Sequence, residues 1–401
     1  MSPRGPHLHF GGMMHYLDFA ATSAIRPDSV AAAVHHFLTE VGASPGRGGH
    51  QRSIESGRIA FRCRRRLARV MGLPGNPGQI TFMLNATHAL NTAIHGVVRQ
   101  GEVVVITPFD HNAVLRPVYA LSKSRDVEVR MLDAAPDGSI DLEAAGRALE
   151  GARLLVVNAI SNVLGTRLPL EELAGLARER GALVLVDAAQ SAGHLADHPG
   201  NAPVDLVAFT GHKGLMGPQG TGGLWVREGV DVEPFCTGGT GGDSALREMP
   251  PVYPDHLEAG TPNAPGLAGL LAGCEFVLDR GVEALHAHEC GLKTRLREGL
   301  AGIRGVRVVS PPDPSGGAVV TVVVEGIQPS ELADELEEDW GVLCRAGLHC
   351  APEAHRLLGT LETGALRFSM GWSSTEDDVD QALRGVDAIV RSRVASSPGI
   401  G

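Results

Sequence analysis

Seven short apolar runs, separated by segments with helical spacing, constrain this chain more than any other feature of its sequence. They cover residues 79–84, 102–107, 127–132, 154–158, 183–187, 206–210 and 223–226, with continuous stretches such as VVVI, LLVV and LVLV. A strand that is apolar at successive positions has both faces covered, as in a parallel sheet between layers of helices. The intervening spacing predicts helices over 86–99, 112–124, 142–149 and 170–180. After residue 265 the character changes. A helical stretch at 266–303 leads to strands at 306–309 and 318–324, a helix at 330–338, a run at 342–344, a strand at 366–371 and a last helix at 377–392. The expected fold class is α/β: a large domain with a mostly parallel seven-stranded sheet flanked by helices, and a smaller α+β C-terminal domain. The expected division is an N-terminal arm at 1–25 packing with the small domain, a large domain at 26–265 and a small domain at 266–395.

Composition narrows the function classes. With 35 Lys+Arg against 46 Asp+Glu, the net charge is -11, which argues against nucleic acid as a partner. No run of about 18 apolar residues suggests a membrane span, and the first twelve residues lack the apolar stretch of a secretion signal. A cytoplasmic protein is expected. Cys63, Cys236, Cys274, Cys290, Cys344 and Cys350 form no C-x-x-C pair and read as reduced thiols. No metal site is expected. His286, His288 and Cys290 lie in a helical pattern, where i and i+2 face apart, and read as a solvated helix. His7, His9 and His15 read as surface histidines of a polar arm.

Lysine occurs only at positions 123, 213 and 293; every other basic residue is arginine. Arginine cannot be deprotonated in proteins, so an amine with a movable pKa has to come from one of these three. Lys123 and Lys293 sit in polar helical stretches and read as surface residues. Lys213 lies three residues beyond a strand end, in Phe209-Thr-Gly-His-Lys-Gly. In open α/β sheets the chemistry lies outside the carboxyl ends of the strands, which selects residues 85–88, 110–111, 161–162, 187–190 and 210–213. Asp187, ending its strand, is either a helix cap or a carboxylate aimed at a cation. The segment around Lys213 is not a P-loop, because His212 precedes the lysine and Gly214 follows it. A lysine and a carboxylate at neighbouring strand ends suit pyridoxal 5'-phosphate, which takes a lysine on its aldehyde and an acid at its ring nitrogen.

Eight segments then carry a resemblance. They are Tyr16-Leu-Asp-Phe-Ala-Ala-Thr22, Pro45-Gly-Arg-Gly-Gly-His50, Asp110-His-Asn-Ala-Val114, Ser161-Asn-Val-Leu-Gly165, Asp187-Ala-Ala-Gln190, Thr210-Gly-His-Lys213, Glu258-Ala-Gly-Thr-Pro-Asn263 and Arg345-Ala-Gly-Leu-His-Cys350. In this order they resemble the cysteine desulfurase and selenocysteine lyase branch of the class V aminotransferase superfamily, enzymes of fold type I that depend on pyridoxal 5'-phosphate. The resemblance implies that Lys213 links to the cofactor, Asp187 holds its ring nitrogen, Gln190 bonds its ring hydroxyl and His111 stacks on its ring. It implies Thr87, Thr210 and His212 as phosphate ligands, with Thr261 lent by the second subunit of a homodimer. Segment 238–242 then approaches the neighbouring subunit's site. Asn162 and Arg367 would hold the substrate carboxylate, with Arg345 also at the substrate. Ala86 and His88 depart from the family pattern, where relatives often carry a hydroxyl and an acidic residue.

Cys350 is the deciding residue. It follows a glycine-containing turn and precedes Ala351-Pro352, a loop setting, with Arg345 and His349 near in sequence to favour thiolate. The resemblance makes it the persulfide-forming cysteine, while Cys344 reads as buried filler. The implied activity takes L-cysteine or selenocysteine to L-alanine, leaves a persulfide on Cys350 and passes the sulfur to an acceptor protein. The alternatives are a selenocysteine lyase, or a C–S lyase or aminotransferase in which Cys350 is idle. A binding module of the same fold fits less well, because the lysine, aspartate, histidine and cysteine are all retained.

Overall fold

The computed structural model describes residues 14–46, 48–195, 199–242 and 245–396; His7 and His9 lie outside them. In chain order the strands are β1 (His15–Tyr16), β2 (Ile80–Met83), β3 (Val103–Ile106), β4 (Glu128–Met131), β5 (Leu154–Asn158), β6 (Leu183–Asp187), β7 (Leu206–Thr210) and β8 (Gly222–Val226). There follow β9 (Val306–Val308), β10 (Val319–Val324), β11 (Val342–Leu343), β12 (Arg345–Gly347) and β13 (Ala365–Ser369).

Strands β2 to β8 form one seven-stranded sheet in the order β2-β8-β7-β6-β5-β3-β4. Only β8 runs against its neighbours, so the sheet is mostly parallel, as the apolar runs predict. The reason those runs are continuous is visible in the side chains. Leu155 and Val157 of β5 join one buried cluster, and Leu154 and Val156 of the same strand join the cluster on the opposite face. β3 and β6 divide in the same way, Val105 against Val104 and Val184 against Leu185.

The register brings polar residues to one edge of this apolar sheet. Asn158 lies opposite Asp187, Asp187 opposite Ala208, and Thr210 opposite Gly222. The cavity described below opens at this edge.

A second sheet, β12-β13-β10-β9, is antiparallel. Its buried face packs with side chains of Val282–Ala301, Pro329–Trp340 and Glu376–Ser396 in a third apolar cluster. Of the run predicted at 342–344, β11 takes the first two residues, and Cys344 stands between β11 and β12. β1 pairs in parallel with β11, so the first described strand sits on elements from the far end of the chain.

Two helices that the alternation does not single out, Asp28–His36 and Gln51–Val70, pack against Ala264–Arg280. The longer one carries seven arginines among its 20 residues, which dilutes the apolar pattern. Its buried stripe is still regular: Ile59, Ala60, Cys63, Leu67 and Val70, the i, i+3/i+4 spacing of an amphipathic helix.

The segment that carries Lys213 is pressed between backbone neighbours. Gly193 has φ +83°, and a Cβ there would meet Gly214 O at 2.4 Å. Both the left-handed conformation and the contact exclude a side chain. Gly193→Ala is expected to destabilise the fold by about 2 kcal/mol or more, read as a shift of the urea midpoint. An unchanged midpoint would show that the two turns do not touch.

Candidate active site

A cavity of about 250 Å³ opens at the carboxyl ends of the parallel strands, lined by Asn158, Asp187 and Thr210 at the ends of β5, β6 and β7 and by His111 after β3. Its lining includes eight residues singled out by sequence: Thr87, His111, Asn162, Asp187, Gln190, Thr210, His212 and Lys213. Arg345, Arg367, Cys350 and Thr261 are not among the lining residues.

Lys213 and Asp187 face each other electrostatically across this space. Burial pulls the Lys213 amine down to about 8, and the Asp187 carboxylate only partly restores it. Burial likewise raises Asp187, opposed by the Ala189 amide and by Lys213. Ala189 N–H donates to Asp187 Oδ1 at 2.9 Å. Residues 189–194 form a turn and not a helix, so Asp187 caps no helix: one oxygen accepts a backbone amide of that turn while the carboxylate faces a cation. His111 caps helix Asn112–Ser124, its Nδ1 accepting from Ala113 N–H at 3.0 Å. Burial, then the charge of Lys213, holds His111 down at about 4. His212 is brought to about 4 by the same two causes in the same order, and its Nδ1 lies 3.0 Å from Thr22 Oγ1. Both rings are neutral near pH 7.

Part of the cavity wall offers free donors. Helix Ala86–Val97 begins there, capped by Asn85 Oδ1 on His88 N–H at 2.9 Å, and Thr87 lies in its first turn. Thr210 Oγ1 is buried with no hydrogen-bond partner, which is costly unless a ligand supplies one. A helix N-terminus with free amide donors favours phosphate. Pyridoxal 5'-phosphate fits this set: an amine for its aldehyde, a carboxylate for its ring nitrogen, and a capped helix with an unpaired hydroxyl for its phosphate. Ala86 contributes no hydroxyl to this wall. His88 has a half-buried ring whose Nδ1 is also without a partner.

Beside the cavity lies a charge cluster that the sequence does not announce. Asp18 receives Arg367 Nη2 on Oδ1 at 3.0 Å and Arg345 Nε on Oδ2 at 2.9 Å. Arg367, only 3% exposed, also donates from Nη1 to Asn162 O at 3.2 Å; its Nε is buried and unpaired. The Asn162 side chain donates to His349 O at 2.7 Å. Cys350 is exposed, and its carbonyl accepts Asn112 N–H at 2.6 Å, next to His111.

The aminotransferase class-V family model matches residues 15–382.

The chain belongs to that family.

Enzymes of the family depend on pyridoxal 5'-phosphate. The chain is 33% identical over 390 residues to the probable cysteine desulfurase 2 of Mycobacterium leprae, covering 94% of this chain and 91% of the relative. It is 35% identical to a probable cysteine desulfurase of Pseudomonas aeruginosa, covering 93% and 92%. Among solved structures, the apo cysteine desulfurase of Thermococcus onnurineus NA1 superposes with a TM-score of 0.88 at 30% identity, covering 94% of this chain and 95% of that one. The cysteine desulfurase of Escherichia coli in its S-sulfonic acid form gives 0.84 at 25%, covering 94% and 95%.

Four sequence expectations need correction. His15 is not a surface histidine: it is buried in β1, with Nδ1 2.7 Å from Asp378 Oδ1. Lys293 is not a surface lysine: it is 2% exposed, and its amine donates to Asp313 O. His349 supplies no cation to Cys350, because burial first, then the Arg367 charge, holds its imidazole down at about 3. Its nitrogens face His355 and Arg345 O instead. Cys290 is not solvated; its thiol is buried and donates to Gly316 O, with His286 one turn away. Asp18 carries no sequence signal of its role beyond its place in the segment 16–22, and Asp110, one of the strand-end positions, has no role assigned by the sequence. Asp110 is wholly buried, and burial raises its carboxyl to about 8.

In cofactor-free protein, acylation of Lys213 followed by peptide mass spectrometry is expected to titrate near pH 8. Asp187→Asn removes the anion that favours the ammonium form, so its profile is expected to move to lower pH. A profile still rising toward pH 10.5 in the native protein would contradict the buried-amine description.

Proposed function

We propose that this protein is a cysteine desulfurase that takes L-cysteine to L-alanine and leaves the sulfur as a persulfide on Cys350. The observation that carries the reading is the pairing of a Lys213–Asp187 cavity with an exposed thiol on an adjoining pinned loop. Lys213 would hold the cofactor, with Asp187 at its ring nitrogen, Gln190 at its ring hydroxyl, His111 on its ring face, and Thr87, Thr210 and His212 at its phosphate. When bound, pyridoxal 5'-phosphate supplies a sink for the electron pair released at the substrate α-carbon.

The chain's own groups do the rest. Lys213, with its amine lowered to about 8, is a base close to its working pH and moves the α-proton. Asp187 would keep a proton on the cofactor's ring nitrogen. Asn162 and Arg367 orient the substrate carboxylate, with Arg345 beside them. The Cys350 thiolate attacks the substrate sulfur. A sulfur–sulfur bond forms and the carbon–sulfur bond breaks. The bonding pair stays with the three-carbon fragment, which takes up protons and leaves as alanine. An acceptor thiol then takes the outer sulfur from the exposed Cys350 persulfide. Selenocysteine is the second substrate.

A homodimer completes this proposal. Thr261 is exposed on one chain, and the segment around 238–242 carries the exposed apolar side chains Phe235, Leu246 and Val252; a second copy would cover them and lend Thr261. A cytoplasmic setting suits six free cysteines. Among the described residues, no helix is long and apolar enough to cross a membrane.

The native enzyme, at a light-scattering mass of two 42.0 kDa chains, is expected to form alanine from cysteine. Without reductant, the Cys350 peptide should gain one sulfur. Cys350→Ala should lose cysteine turnover by at least about a hundredfold while keeping its cofactor. Pyruvate and ammonia as products, with Cys350→Ala fully active, would replace this reading with a C–S lyase.

A further inference from the structure

The loop presenting Cys350 adopts a backbone that its residues would not choose alone. His349 and Cys350 have φ of +50° and +57°, two consecutive left-handed residues that are not glycine. Each costs about 1–2 kcal/mol, and such conformations persist only where surrounding groups over-determine them. Two constraints come from the cavity side, through Asn112 N–H on Cys350 O and the Asn162 amide on His349 O. A third comes from beneath the loop.

His355, in the short helix Pro352–Leu357, is wholly buried. Its ring meets that of His349, with centroids 5.5 Å apart and planes at 28°. His355 Nε2 lies 3.3 Å from His349 Nδ1, and His355 Nδ1 lies 2.8 Å from Thr360 Oγ1. At the other end, His349 Nε2 is 3.2 Å from Arg345 O. One set of neutral tautomers satisfies all three contacts. Thr360 O–H donates to His355 Nδ1, His355 Nε2–H donates to His349 Nδ1, and His349 Nε2–H donates to Arg345 O. The other neutral sets either turn the His349 Nε2 lone pair toward Arg345 O or set the lone pairs of the two rings against each other, and a second proton on either ring would make it a buried cation. Burial disfavours that proton on both rings.

We infer that His355, oriented by Thr360, is a positioning residue for the Cys350 sulfur: through the His349 ring it fixes the left-handed backbone that presents the thiol to substrate. This rests on reading Cys350 as the sulfur acceptor. Neither His355 nor Thr360 touches the cavity, so their effect has to pass through the loop.

The test uses the loaded holoenzyme with two near-isosteric changes, His355→Phe and Thr360→Val. Both are expected to lower kcat for alanine formation from cysteine at least tenfold with KM unchanged. Alanine formation from selenocysteine should stay within twofold of native, because selenium is a good enough leaving atom to depart without thiolate attack. Hydrogen exchange gives a readout that does not depend on turnover. The Asn112 amide, bonded to Cys350 O, should exchange at least tenfold faster in both variants. Native cysteine rates, equal losses on both substrates, or unchanged Asn112 exchange would each overturn the inference. If native enzyme makes no alanine from cysteine, the Cys350 reading has failed separately, and Asn112 exchange alone decides whether His355 sets the loop.

Discussion

One buried carboxylate holds the Cys350 side of this molecule together. Asp18 takes a guanidinium on each oxygen, Arg367 on one and Arg345 on the other. The three residues come from the start of the chain, from β13 and from β12, and nothing in local sequence would bring them together. Removing the carboxylate would leave Arg367 as a buried cation without its anion, a loss of about 3–5 kcal/mol. Asp18 thus fixes β1 and the second sheet as one surface. Arg367 carries the connection to the large sheet through Asn162 O, and β12 launches the loop of Cys350 from that surface.

The cavity relies on the opposite use of burial. Lys213 and Asp187 are both pushed toward their neutral forms, and each restrains the other. An amine kept near neutrality can take and return a proton, which a solvated lysine cannot do well at pH 7. His111 and His212 stay neutral for the same reason, so they add hydrogen-bonding capacity and a ring face without adding charge that would repel the Lys213 ammonium. The apolar sheet makes this possible, because its strands exclude water up to their last residue.

Much of this was legible in the sequence, and the division follows physical causes. The seven strands of the large sheet are readable because burial on both faces leaves an unbroken apolar mark. Lys213 is readable because arginine replaces lysine almost everywhere else, and Asp187 because a charge at the end of LVLV has to be explained. Asp18 carries no such mark: its partners lie 327 and 349 residues away. Lys293 misleads for a similar reason. Its neighbours in the helix are polar, and only the loop at 311–317, folding over it, removes it from water. His349 has the residue type of a thiolate-stabilising cation, but the ring beneath it and the burial above it keep it neutral.

The central claim is that the Lys213–Asp187 cavity, and no other amine of the chain, takes an aldehyde cofactor. Reducing the pyridoxal 5'-phosphate-loaded enzyme with borohydride and mapping its peptides by mass spectrometry tests this most directly, because Lys293 offers a second buried amine with a lowered pKa. The account predicts the reduced cofactor on the peptide containing Lys213 alone. Stoichiometric cofactor on Lys293 or Lys123, with Lys213 unmodified, would contradict it.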